Sequence, residues 1–108
     1  MLSHKKNRDI LTVQLSGELD HFSAISIRKD LDTLIADPQV RHLVLDMDGL
    51  HFMDSSGIGV ILGRYRILHG RGGTVCVMRM NPQISRIFKL SGMAQIIPVL
   101  SNEKEAAQ

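Results

Sequence analysis

The residues best placed to do chemistry are Asp54, Ser55 and Ser56. They stand between a short apolar run, Leu43-Val44-Leu45, and a stretch in which Ile58, Ile61, Leu62, Tyr65 and Leu68 recur three and four residues apart. That spacing puts the apolar side chains on one face of a helix, so the Asp-Ser-Ser run sits where a strand hands over to a helix. Asp and Ser cap helix starts because their side-chain oxygens accept from the first unpaired N–H groups. Gly57 and Gly59, just behind, have no side chain to hold other backbone away. A helix start also carries partial positive charge and favours an anion. A serine hydroxyl exposed there is a candidate for phosphorylation. The phosphate adds roughly −1.5 to −2 charges at neutral pH. Its own helix tolerates that charge, which is worth about 0.3–1 kcal/mol at an N-terminus, whereas a protein docked on the same spot does not. The same three residues also read as a plain helix cap, and spacing alone does not separate the two.

Other chemistry has less to stand on. His51 precedes Asp54 by three residues and His21 follows Asp20, so a serine, a histidine and an aspartate are all available for a hydrolytic set. Nothing, however, resembles a nucleophile elbow. The five histidines lack metal-ligand spacing, and Cys76 is the only cysteine, so there is neither an internal disulfide nor a thiolate cluster. In its apolar surroundings Cys76 reads as an inert core residue. There is no Walker loop; Gly70-Arg71-Gly72-Gly73 is a turn from helix to strand, on the wrong side for a phosphate cradle. A non-enzymatic protein without metal or cofactor is therefore expected. Arg64, Arg66 and Arg71 read as the solvated side of a helix and its turn. Lys and Arg are scattered among Asp and Glu, the net charge is only +2, and aromatics are too few for a stacking platform, so no nucleic-acid partner is expected. No apolar run approaches the ~20 residues that span a bilayer, so no membrane partner is expected either. The charged start, Met1 to Lys6, lacks the apolar stretch of a signal peptide, and a cytoplasmic setting follows.

The elements that must position Ser55 follow from periodicity. The 108 residues suit one domain, 1–108, with one core. Leu11, Val13 and Leu15 alternate with Thr12 and Gln14, which predicts a strand over 9–15 with one buried face. Residues 2–6 form a candidate edge strand before it, turning at Asn7-Arg8. Gly17 to His21 is a predicted turn into a first helix, with Asp20 and Ser23 as candidate caps. Ile27, Leu31, Leu34 and Ile35 supply its apolar stripe, and Asp37-Pro38 ends it. A strand over 42–46, a polar break at Asp46 to Gly49, and the helix after Ser55 come next. Thr74 to Met78 predicts an interior strand. Asn81-Pro82 opens another helix, carrying Ile84, Ile87, Phe88 and Met93 inward until Ser91-Gly92 stops it. Ile96 to Leu100 predicts an edge strand, and Ser101 to Gln108 the start of a terminal helix. Strands alternating with helices give an α/β fold: a mixed, mostly parallel sheet of four to five strands with three to four helices. Sites in such sheets lie beyond the carboxyl ends of strands. Asp20-His21 and Asp54-Ser55 both fall at turns of that kind, and so are expected to share one rim.

The stretch Phe52-Met53-Asp54-Ser55-Ser56-Gly57-Ile58-Gly59-Val60-Ile61-Leu62-Gly63-Arg64-Tyr65 resembles the signature of the STAS-domain anti-sigma factor antagonists, above all those that act on anti-sigma F in sporulation. Gly17 to His21, Arg41 to Leu45, and Ser91-Gly92 after a helix containing Arg86, Phe88 and Lys89 extend the likeness in one order over nearly the whole chain. The resemblance implies a STAS fold and a protein that binds an anti-sigma factor, itself an ATP-using serine kinase, and so frees the sigma factor. It implies that Ser55 is the phosphoacceptor, that phosphorylation ends binding, and that a metal-dependent serine phosphatase acting on phospho-Ser55 restores it. Asp20, His21, Asp54, Ser55, Ser56, Gly57 and Ile58 are the partner-facing residues it implies, with Ser56 in a local capping role. A STAS module that senses a ligand or serves as a scaffold without phosphorylation is the alternative. Two departures stand out. Phe22 follows the Asp-His pair where close relatives carry a polar residue; buried, it is a staple for the first helix, the expectation here, and exposed it is a hydrophobic contact. The C-terminal helix is also shorter than usual.

Overall fold

In the computed structural model, which describes residues 1–101, the alternating stretch around Val13 lies in the longer of two opening strands. These are β1 (Leu2–Asn7) and β2 (Ile10–Leu19). They pair antiparallel, from Leu2 opposite Leu15 to Asn7 opposite Ile10. Leu11, Val13 and Leu15 point into the core as the alternation requires. After helix α1 (Ser23–Ile35), β3 (His42–Met53) lies parallel to β2. Helix α2 (Ser55–His69) leads to β4 (Thr74–Met78), and α3 (Pro82–Leu90) leads through a 3-10 turn, Met93–Gln95, to β5 (Val99–Leu100). The five strands lie in chain order, β1-β2-β3-β4-β5, and all pairs after the first are parallel. The expected mixed, mostly parallel sheet is the one observed. Ile27, Leu31 and Ile35 of α1, Ile61 and Leu68 of α2, and Ile84 and Phe88 of α3 close over the same core as Val13, Leu43 and Leu45 of the sheet.

Two elements run further than local patterning suggests. Gly17-Glu18-Leu19 is the end of β2, not a turn, and Asp46 to Gly49 is the middle of β3, not a break. The cause is pairing between the two strands. β2 follows β3 to its end, with register irregularities between Gln14 and Ser16 and between Gly17 and Glu18 that absorb the polar residues. Gly17 has φ +85°, which suits glycine. At Gly49 a Cβ would come to 3.0 Å from Ser16 Cβ and 3.1 Å from the Leu15 carbonyl, so glycine lets the strands meet there without one of them giving way. Asp46 is sealed in the sheet, only 1 % exposed, and Arg79 just after β4 pairs with its carboxylate through Nε at 3.0 Å and through Nη2. Its carboxylate also accepts from the Asp48 N–H. Although burial opposes ionisation, these donors hold the Asp46 carboxyl below the ordinary carboxylate range.

Other boundaries differ less. β5 is two residues rather than five, because Met93–Gln95 coil into the 3-10 turn and bury Ile97. On α2, Ile61 and Leu68 are buried as expected, whereas Ile58, Leu62 and Tyr65 lie half-buried at the edge of the core; Gly57, Val60 and Arg64 complete the inner face. Arg64 is therefore not solvated in the way expected of that arginine group, whereas Arg66 and Arg71 are exposed as expected. Arg64 is only 7 % exposed, with Nε 3.0 Å from Asp32 of α1. Arg71 donates to the carbonyls of Ile35 and Val40 and ties the turn after α2 to the end of α1. Cys76 is buried, and burial pushes its thiol up to about 11, which keeps it unreactive. The expected terminal helix after Ser101 lies outside the described residues.

Candidate functional site

The site is the rim where β2 and β3 end. Leu19 pairs with Met53, so the two strands finish level, and the Asp54 N–H donates to the Leu19 carbonyl at 3.3 Å. The turns carrying Asp20-His21 and Asp54-Ser55 thus lie side by side, as the sequence suggests. One cavity between α1 and α2 is lined by both His21 and Ser56.

At the second turn, Asp54 is in extended conformation and its carboxylate accepts from the Ser56 N–H at 2.8 Å. Its carbonyl accepts from the Gly57 and Ile58 N–H groups. Asp54 alone is the side-chain cap of α2; Ser56 contributes its N–H and not a capping hydroxyl. Ser55 is the first residue of α2, exposed, and its hydroxyl makes no hydrogen bond among the described residues. The first turn of α2 contains no acidic residue, so the positive end of a fifteen-residue helix faces the solvent beside that hydroxyl. Gly57 turns inward. A Cβ there would meet Met53 Sδ at 2.8 Å and Leu19 Cγ at 3.0 Å. Its absence lets the first turn of α2 press down on the strand ends. Ile58 is half-buried against the core.

At the first turn the hydroxyl is used up. Asp20 Oδ1 accepts from the N–H groups of Phe22 and Ser23 at 3.0 and 2.9 Å. The Ser23 hydroxyl donates to the Glu18 carbonyl at 2.7 Å and accepts from the Asp20 N–H at 2.9 Å. Phe22 stands at the N-cap position of α1 and makes no side-chain cap bond; Asp20 serves the first helical N–H from outside, whereas the Ser23 hydroxyl fastens the turn to the end of β2 and is not a cap. Ser23, chiefly through its backbone N–H, holds the Asp20 carboxyl below its ordinary range. This closed turn leaves nothing for a staple to do. Phe22 is 83 % exposed, its ring edge-on to His21 at 5.6 Å between centroids, which corrects the expectation that it packs under the helix. His21 is exposed and Asp20 half-buried. Misplaced by sequence reasoning, which put it on the solvated side, is Arg64, a buried residue that lines the cavity. Only the helical spacing from Val60, read as an inward face, hints at it.

The five-stranded mixed sheet with its three helices is that of the STAS domain. The STAS domain profile matches residues 2–106, and the chain belongs to that family. The anti-sigma F factor antagonist of Paenibacillus polymyxa is 44 % identical over 100 residues, spanning 93 % of this chain and 86 % of that protein. Among solved structures, the anti-sigma factor antagonist SpoIIAA in its unphosphorylated form has a TM-score of 0.85 at 30 % identity, over 99 % of this chain and 93 % of that one. SpoIIAA of Bacillus in the phosphorylated form has a TM-score of 0.76 at 30 % identity, over 99 % and 96 %. These likenesses support function as an anti-sigma factor antagonist. No helix among the described residues is long and apolar enough to cross a membrane.

Proposed function

We propose that this protein is a phosphorylation-controlled anti-sigma factor antagonist in the cytoplasm. Unphosphorylated, it binds an anti-sigma factor that carries ATP or ADP and acts as a serine kinase, and the bound sigma factor is released. The kinase phosphorylates Ser55, the complex separates, and a metal-dependent serine phosphatase resets the switch. The protein is a binding partner and a substrate rather than an enzyme, and sporulation is the setting this reading gives it.

One observation carries the reading: Ser55 presents an exposed hydroxyl, without a hydrogen bond among the described residues, at the positive start of α2. Magnitudes explain why a phosphate there would spare the fold. Charge at the helix start gains about 0.3–1 kcal/mol. Repulsion from the Asp54 carboxylate, in water at a few ångströms, is about 1 kcal/mol per unit charge. For a phosphate of roughly −1.5 to −2 charges the repulsion exceeds the gain by about 1 kcal/mol, which is small against a domain's stability of about 5–15 kcal/mol, so the fold persists. At a docked interface the same charge loses its water, and unpaired charge there costs several kcal/mol. His21, Asp20, Asp54, Ser56 and Ile58 are, with Ser55, the partner-facing residues of this reading, Gly57 seats the first turn of α2 on the strand ends, and exposed Phe22 adds an apolar contact beside His21.

Calorimetric titration of the cognate anti-sigma factor with the parent, Ser55→Ala and Ser55→Asp proteins tests this. Ser55→Ala is expected to bind like the parent, and Ser55→Asp roughly a hundredfold more weakly, about 2.7 kcal/mol. Equal affinity of the aspartate variant would overturn the charge argument.

A further inference from the structure

The strand that carries Ser55 outruns its neighbour. β4 accompanies β3 only as far as Met78 opposite Asp46, yet β3 continues to Met53. On its other side β2 stays paired to the end, Leu19 with Met53. Among the described residues, Met47 to Met53 therefore have a strand on one side only, and the Asp54-Ser55 turn stands at the tip of that overhang. Strand carbonyls left open in this way need other donors.

Side chains from the next loop supply them. Asn81, between β4 and α3, donates from Nδ2 to the carbonyls of Leu50 at 3.2 Å and His51 at 3.3 Å. Gln83, in the first turn of α3, donates from Nε2 to the Met53 carbonyl at 3.3 Å. Asn81 also caps α3, its Oδ1 accepting from the Ile84 N–H at 2.9 Å. Of the side chains that favour a helix N-cap, asparagine alone joins an acceptor for the helix to an amide donor for the strand; an aspartate carboxylate has no donor, and serine has a single hydroxyl on a shorter stem. The start of the loop is anchored too. Arg79 pairs with the sealed Asp46 carboxylate and has φ +59°, a left-handed backbone that surroundings must impose on a residue with a side chain. The loop is thus laced to β3 at Asp46, Leu50, His51 and Met53.

On the reading of Ser55 as the phosphoacceptor, on which this rests, we propose that Asn81 and Gln83 are positioning residues for the switch: by holding the overhang of β3 they fix where the hydroxyl stands for phosphoryl transfer. They act through Met53 and through Asp54, whose N–H is tied on the far side to the Leu19 carbonyl. In that transfer Ser55 Oγ bonds to the γ-phosphorus of ATP as the bond to the β–γ bridging oxygen breaks; ADP leaves, and the hydroxyl proton passes to a base of the kinase. A misplacement of about 1 Å in such a step costs roughly a hundredfold in rate. Loss of the ties therefore falls on turnover and not on affinity.

The test uses variants that remove the donors and spare the helix. Asn81→Ser keeps a cap for α3 and loses the bonds to Leu50 and His51. Gln83→Met keeps the length of the side chain and loses the bond to Met53. Each full-length variant is phosphorylated by the cognate anti-sigma kinase with ATP under steady-state conditions, and amide hydrogen exchange is followed on the free protein. Either substitution is expected to lower kcat at Ser55 roughly three- to tenfold, with KM within about twofold of the parent. Exchange should quicken at Asp54 and Ser56 and stay unchanged where β3 and β4 pair. A raised KM with unchanged kcat would make these docking residues, and uniformly faster exchange with unchanged kcat would make them supports of the fold alone; either result overturns the proposal. A parent chain that takes no phosphate on Ser55 would overturn the reading beneath it as well, so the two failures are told apart.

Discussion

The two strand-to-helix turns on the rim use the same residue types for different ends. At the first, Asp20 and Ser23 bond to each other's backbone, and the serine hydroxyl both donates and accepts. At the second, Asp54 caps α2 alone and the Ser55 hydroxyl is left to the solvent. One aspartate and one serine therefore make a fastening in the first place and a handle in the second. The position of the serine explains the difference. Ser23 lies three residues after its aspartate, within reach of the end of β2, whereas Ser55 follows its aspartate directly and projects from the first position of the helix.

The strongest way to break this contrast is to place a charge at each serine. Ser23→Asp puts a carboxylate against Asp20 and the Glu18 carbonyl, and is expected to cost roughly 2–4 kcal/mol of stability. In Ser55→Asp stability should stay within about 0.5 kcal/mol of the parent. Urea unfolding measures both, and equal losses would end the distinction. Neutral truncation sharpens it. Ser23→Ala removes two bonds and should cost about 1–2 kcal/mol, while Ser55→Ala should be silent to within about 0.5 kcal/mol. Next in size is the cap: Asp54→Ala should cost about 1 kcal/mol in the same assay, and amide exchange at Ser56 should quicken because its N–H loses its acceptor.

The smallest effect is in pH. The Asp20 carboxyl is held below its ordinary range, chiefly by the Ser23 N–H. Its stabilising share is therefore present above the unfolded carboxylate pKa near 3.9 and lost as pH falls through the lower folded value. Thermal melts of Asp20→Asn should lie below the parent at neutral pH and converge with it in acid. A gap that stays constant with pH would assign the difference to shape rather than charge.

What the sequence makes plain is local chemistry. Asp54 before Ser55, Asn81 before Pro82, and the unbroken run Thr74 to Met78 each mark their element because cap, proline and strand signals act within a few residues, and α2, α3 and β4 begin where those signals stand. What it conceals depends on distant partners. Asp46 to Gly49 looks like a break until Arg79 supplies the buried carboxylate with a counter-charge. Arg64 looks solvated until Asp32 arrives from α1. Phe22 has the composition of a staple, but the hydrogen-bonded turn beside it makes a staple unnecessary and leaves the ring outside. The rim itself was legible because both of its turns lie at strand ends, where the topology of a parallel sheet brings them together.

The most direct test is to incubate the protein with its cognate anti-sigma kinase and ATP, then map phosphate on its peptides by mass spectrometry. Stoichiometric phosphate on Ser55, with Ser23 unmodified, is the result this account predicts. Phosphate on Ser23 or Ser56 in its place, or a stable complex that leaves Ser55 bare, would contradict it.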